Sequence, residues 1–211
     1  MHHVYIERLL ALSITYSVTC VVPGPDFVNV TSHALAARKS GMLAAAGVAL
    51  GCSIWSTAAA FALDFLTTGL APFNHIIKIC GASYLAYLGL RAALRALGPN
   101  AARLKTTATE AGHWASFRRG FTTDMTNPTL IVFFGSLFAT ILPSDAPAWV
   151  RCAAICIVTL IAGIWHLAVA MLFSAQRTLS VYMKIRRPTD IALGIVLIGL
   201  GLRLSGCLEG V

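Results

Sequence analysis

Charge is what this chain has least of. Eight acidic and sixteen basic residues make up 11% of its 211 positions, whereas ordinary soluble domains carry about 25%. So few charged groups cannot clothe a water-soluble domain of this size, which excludes an ordinary soluble fold. Metal-site spacing is missing too. The cysteines at 20, 52, 80, 152, 156 and 207 lie inside or at the ends of apolar tracts and form no Cys-x-x-Cys pair. They read as small core residues; Cys152 and Cys156, one helical turn apart, are too few to hold a metal. Neither a metal nor a cofactor is expected. The net charge of +8 is not a nucleic-acid footprint, because the basic segments offer few stacking aromatics beyond Trp114 and Phe117.

What the chain has instead is long charge-free tracts. A helix needs about 20 apolar residues to cross a hydrocarbon core of about 30 Å. Residues 9–37 contain one charge, Asp26; 40–63 contain none; 65–90 contain only Lys78; 125–144 and 152–176 contain none; 191–208 contain only Arg203. The expectation is an all-α integral membrane protein with six transmembrane helices. The first tract is not read as a cleaved leader, because Pro-Gly-Pro-Asp interrupts it before the Ala34-Leu35-Ala36 sequence that could mimic a cleavage site.

Numbering the connecting segments alternately, one side of the membrane receives Arg38, Lys39, Arg91, Arg95, Arg103, Lys105, Arg118, Arg119, Arg177, Lys184, Arg186 and Arg187, twelve of the sixteen basic residues. That side is expected to be cytoplasmic, with both termini outside. Six spans divide into two sets of three, and an odd number per set inserts the second half upside down. Residues 1–97 and 119–211 are expected as inverted repeats of one transporter domain, joined by a basic cytoplasmic loop at 98–118. Interrupted helices in corresponding places of two such halves point to a transport site, and the first and fourth spans carry Pro23-Gly24-Pro25-Asp26 and Asn127-Pro128-Thr129.

Proline removes a backbone hydrogen bond and clashes with the preceding turn. It suits the first position of a helix, where Asp in the first turn meets the positive end of the dipole and Asn caps well. Both motifs therefore predict helix beginnings inside the membrane. Free N–H groups there can hold a carboxylate, and Asp26 can hold an ammonium group or carry a proton. An intramembrane carboxylate is costly and functional by default. Asp124, five residues past Arg119, is placed near the cytoplasmic interface, as a cap or a site residue. Asp190 and His166 are secondary candidates, the first as a helix cap or partner of Arg186 and Arg187, the second as a packing residue or proton relay. Gly47-x-x-x-Gly51 and the glycines at 194, 199 and 201 read as close-packing signals.

These residues resemble the LysE/RhtB superfamily of bacterial amino-acid exporters. The resemblance rests on Pro23 to Phe27, on RKSGMLAAAGVALG at 38–51, on NPTLIVFFGSLF at 127–138, and on Asp190 with Gly194 and Gly199. The phrase FRRGFTTDMTNPTLIVFFGSLF is closest in appearance to the threonine and homoserine exporters. The resemblance also implies a lysine where this chain has Thr129, so a charge that could balance Asp26 is missing. It implies a proton antiporter of small amino acids in the bacterial inner membrane. Its expected partners are a small amino acid, protons, the bilayer and a second copy of the chain. A channel is the alternative. An intramembrane aspartyl protease is a weaker one, because Asp26 follows Pro25 and Asp124 follows Thr123, outside the Tyr-Asp and Gly-x-Gly-Asp motifs of such enzymes. No enzyme activity is expected.

Overall fold

The computed structural model describes residues 2–69, 74–97, 112–143, 145–175, 188, 191–199 and 202. Among them the regular elements are helices: α1 (His2–Val21), α2 (Pro25–Ala36), α3 (Arg38–Gly69), α4 (Asn74–Leu97), α5 (His113–Met125), α6 (Pro128–Ile141) and α7 (Ala148–Leu172). Residues 191–199 add a further helical stretch. Asp190, Gly201 and most of the expected basic loop lie outside the described residues.

Three helices are long and apolar enough to cross a bilayer, over His3–Val21, Arg38–Ala62 and Ala148–Leu172, and Thr129–Ile141 is a shorter apolar helix. Their outer faces are greasy: Leu10, Phe61, Leu160, Ile164 and Leu172 are all more than half exposed. Helices satisfy their own backbone groups, so such a surface is at ease in lipid and not in water. The protein is a membrane protein. Cys152 and Cys156 also face outward, so they are not core residues. In a bilayer the outward face is itself apolar, and a thiol can sit there as readily as inside.

Both proline motifs break a helix. α1 ends at Val21, two residues before Pro23, and α2 starts with Pro25 as its first residue and Gly24 as its N-cap. α5 ends at Met125, and α6 starts with Pro128 behind an Asn127 cap. Two expected boundaries shift. α3 runs on through Asp64 to Gly69, so the tract at 65–90 is shared between α3 and α4. α5 opens at His113, inside the segment expected as a loop.

α3 lies centrally, packed on α5, α7, α2 and α6, while α4 packs on α6 and α1 on α7. The α3–α5 contact is made of backbone. A Cβ added to Gly47 would strike the Phe117 carbonyl and come within 2.7 Å of the Phe121 nitrogen, and one on Gly120 would strike the Ala44 carbonyl. Such small-residue crossings bring helices together in lipid, where no hydrophobic force does so. The same device joins α4 to the 191–199 stretch: a Cβ on Gly194 would lie 2.6 Å from the Gly89 carbonyl. Gly199, also expected to pack closely, meets nothing within 4 Å.

Candidate functional site

The joint between α1 and α2 gathers the acids. Asp26 stands in the first turn of α2, half-buried, and Asp124 in the last turn of α5, with no exposed surface. Their charges are close enough to interact. Along α3, Gly51 marks the level of Asp124, because a Cβ there would collide with its carboxylate and approach its Cγ to 2.7 Å. Gly51 is thirteen residues beyond Arg38, about 20 Å along the helix. Asp26 is eleven residues before Ala37, about 17 Å by the same rise. The two acids therefore lie at a similar distance from the α2–α3 junction.

The expectation placed Asp124 near the cytoplasmic interface by a count from Arg119; in the structure Arg119 itself lies within the helix packing, since its neighbour Gly120 rests on Ala44, a turn and a half into α3. Arg118 and Arg119 are exposed, and long side chains of this kind reach the headgroups from such a position.

Neither acid has an ion pair among the described residues. Asp124 accepts a hydrogen bond on Oδ1 from the Cys52 thiol at 3.2 Å, whereas its Oδ2 and the Oδ1 of Asp26 are buried without a partner. A helix C-terminus is the negative end of the dipole, so its position does nothing to stabilise an Asp124 anion. One turn beyond Asp26, Asn29 Nδ2 donates to Thr123 Oγ1 at 2.8 Å, tying α2 to α5 beside the acids, and Asn29 Oδ1 is left unpaired. The thiols of Cys20 and Cys52 complete the surround, with the Tyr16 hydroxyl against both. Tyr16 packs on Phe133 and Phe134 of α6, with ring centroids 6.2 and 5.7 Å apart.

The two breaks differ in how they are finished. Gly24 makes no side-chain cap; its φ of −112° is open to any residue, and a Cβ added to it would meet nothing within 4 Å. Pro23 and Pro25 flank that space. At the second break Asn127 Oδ1 accepts from the Thr129 nitrogen at 3.1 Å, and the Asn127 nitrogen donates to the Asp124 carbonyl at 3.1 Å. Pro128 follows as the first helical residue. Tyr84 of α4 donates its hydroxyl to the Thr129 carbonyl at 3.3 Å. His166 is buried in α7 with Nδ1 donating to Ala162 O at 2.9 Å, and neither acid is among the groups acting on it.

Sequence inspection missed Tyr16, Asn29, Gly51 as a site residue, Cys52 and Thr123. Asn29 carried a signal, being polar and one turn from Asp26 on the same helix face. Cys52 carried none. Among the described residues no cluster of His, Cys, Asp or Glu could hold a metal ion.

Membrane helices interrupted at buried, unpaired acids are the architecture of a translocator. The family model for the LysE type translocator matches residues 17–206, and the chain belongs to that family. It is a transporter and not an enzyme. The chain is similar to the threonine efflux protein of Salmonella typhi, 28% identical over 197 residues that cover 92% of this chain and 95% of that one. The threonine efflux protein of Escherichia coli K12 is 26% identical over 199 residues, 92% of this chain and 96% of its own. An uncharacterized membrane protein of the same strain, YahN, is 29% identical over 208 residues, 97% of this chain and 93% of its own. No solved structure matches.

Proposed function

We propose that the protein exports small neutral amino acids, threonine or homoserine among them, from the cytoplasm across the bacterial inner membrane in exchange for protons. The observation that carries this reading is the pair of acids, Asp26 half-buried and Asp124 buried, each with one buried oxygen that has no partner, beside an uncapped helix start. The threonine efflux relatives supply the substrate class. An amino acid is a zwitterion. The free N–H groups opening α2 take its carboxylate, with the Asn127 amide nitrogen from the other break, and Asp26 takes its ammonium group.

Alternating access follows from two inverted repeats, about 1–97 and 119–211. Exchanging α1 with α5, α2 with α6 and α3 with α7 carries the α3–α5 contact onto α7–α1, α3–α6 onto α7–α2, and α2–α5 onto α6–α1; each of these is a packed pair. The axis passes through α3–α7, which maps onto itself. One contact breaks the symmetry: α2 lies along α3, and α6 has no like contact with α7 among the described residues. With Arg38, Lys39, Arg118 and Arg119 at the cytoplasmic end and both termini outside, the tightly packed α2–α3–α5 group seals the inner side and the looser α1–α6–α7 group faces out. This asymmetry supports an outward-facing state of a rocking carrier, and it opposes a continuous channel.

The test is efflux from vesicles reconstituted with the protein and loaded with labelled amino acids, with and without an imposed pH gradient. Wild type should release threonine or a related neutral amino acid faster when the receiving side is acidic, and Asp26→Asn should lose this. Gradient-independent current with no amino-acid flux would show a channel instead.

A further inference from the structure

Asp26 and Asp124 are not equivalent, and the difference assigns them separate tasks. Asp26 sits beside the open space at Gly24, half-buried, in a helix first turn. Asp124 has no exposed surface; one of its oxygens takes the Cys52 thiol, and the other is unpartnered in the carboxylate pressed on Gly51, where even a methyl group would not fit. We propose that Asp124 carries the coupled proton of the exchange while Asp26 holds the substrate's ammonium group. The inference rests on the exporter reading above and divides its labour.

The argument is one of volume and charge. An Asp124 anion sealed on Gly51 would need a cation, and the ionisable groups that face it are Cys52 from α3, Cys20 from α1 and Asp26 from α2; α6 brings none. None of these is basic. A bare metal ion needs several oxygen ligands and a cavity, and the Gly51 contact leaves no room for one. A proton needs no volume. With the α3–α5 seam closed over Asp124 and no ammonium group at Asp26 to serve as that cation, the carboxyl group is therefore neutral. When the seam parts, Asp124 meets cytoplasmic water and gives up that proton, and the seam cannot close again over two bare carboxylates. It closes over the pair once an ammonium group has arrived at Asp26. Outside, the amino acid leaves and a proton from the external water replaces its charge on Asp124. Each cycle thus moves one amino acid outward, as a net-neutral zwitterion whose carboxylate rests on the helix N–H groups, and one proton inward, a one-for-one exchange that carries one positive charge into the cell.

The experiment separates exchange from driven efflux in reconstituted vesicles, with a pH-sensitive dye inside and sodium replaced by choline in one arm. Asp124→Asn, an isosteric neutral side chain, is expected to exchange labelled for unlabelled amino acid within about 3-fold of wild type. It should show no acceleration by a pH gradient and no dye response. Asp26→Asn is expected to lose exchange by about 10- to 100-fold, the worth of a charge-assisted hydrogen bond. Gradient-driven efflux persisting in Asp124→Asn overturns the assignment while leaving the exporter intact, as does a wild type driven by sodium alone. A wild type that moves no amino acid overturns both. Amino-acid-dependent thermal stabilisation of Asp124→Asn confirms that it is folded. Infrared spectra of the wild type and of Asp26→Asn give a second check: a protonated-carboxyl band should persist in both, and its absence from the wild type overturns the proposal without reference to Asp124 variants.

Discussion

The first and second breaks are written with the same punctuation, a proline at the first helical position, and are finished in opposite ways. At Asn127 the orphan N–H of the new helix is answered from within, by the residue's own side chain, and α4 buttresses the turn through Tyr84. At Gly24 no cap side chain answers it, the Asp26 carboxylate reaches only its own backbone N–H, and the space around the glycine is clear. In water an uncapped helix start is a minor loss. In lipid an unsatisfied backbone group costs several kcal/mol, so a start left bare marks a place where something else must come. In the proposed site the second break holds its shape and the first receives the substrate.

The strongest way to break that contrast is Asp26→Asn, which should reduce amino-acid efflux by about 10- to 100-fold with little change in thermal stability; efflux at the wild-type rate would remove the first break from the mechanism. Next is Gly51→Ala. Its methyl group must displace Asp124 or part α3 from α5, and overpacking of this kind costs about 1 to 3 kcal/mol, read as a lower melting temperature together with weakened response to a pH gradient. Unchanged coupling and stability would mean that the Asp124 seat is not tight. Asn127 can be tested by two substitutions. Asn127→Ala should cost about 1 kcal/mol by loss of the cap. Asn127→Asp keeps a capping oxygen and should keep the stability, while raising the KM for the amino acid if the amide nitrogen holds the carboxylate. Equal KM in both variants and wild type would reduce the second break to scaffolding. The smallest effect on folding belongs to Gly24→Ala. With no contact within 4 Å and a φ of −112°, stability should stay within about 0.5 kcal/mol, and a fall in efflux would locate the substrate at that methyl group.

The helix starts were legible because their signals are local. Pro25 and Pro128 take the first helical position, and Asn127 caps as its side chain allows. Family membership was legible from the Pro-Gly-Pro-Asp stretch and the fourth-span phrase. The partner of Asp26 was not. A charge that faces a carboxylate was sought at Thr129, in the matching motif, whereas the group brought near it is another acid, Asp124. Nothing local reveals that. The depth of Asp124 is set by Gly120 resting on Ala44 and by Gly51 making room for the carboxylate, and such registers between helices depend on both surfaces at once. Of the glycines read as packing signals, Gly47, Gly51 and Gly194 pack closely and Gly199 does not, and Gly51 also shapes the seat of an ionisable group. His166 shows the reverse: a residue with chemistry to offer that is used to hold its own helix, through Ala162.

The glycine seam between α3 and α5 has a consequence for the cell's energy supply. Gly47 and Gly120 close it with backbone on backbone, down to the level where Gly51 meets Asp124, so little space is left between the two helices along that stretch. Under the proton exchange proposed above, a carrier in a membrane living on its proton gradient is a potential short circuit. In that reading the glycine seam serves as insulation, admitting a charge only when two whole helices separate.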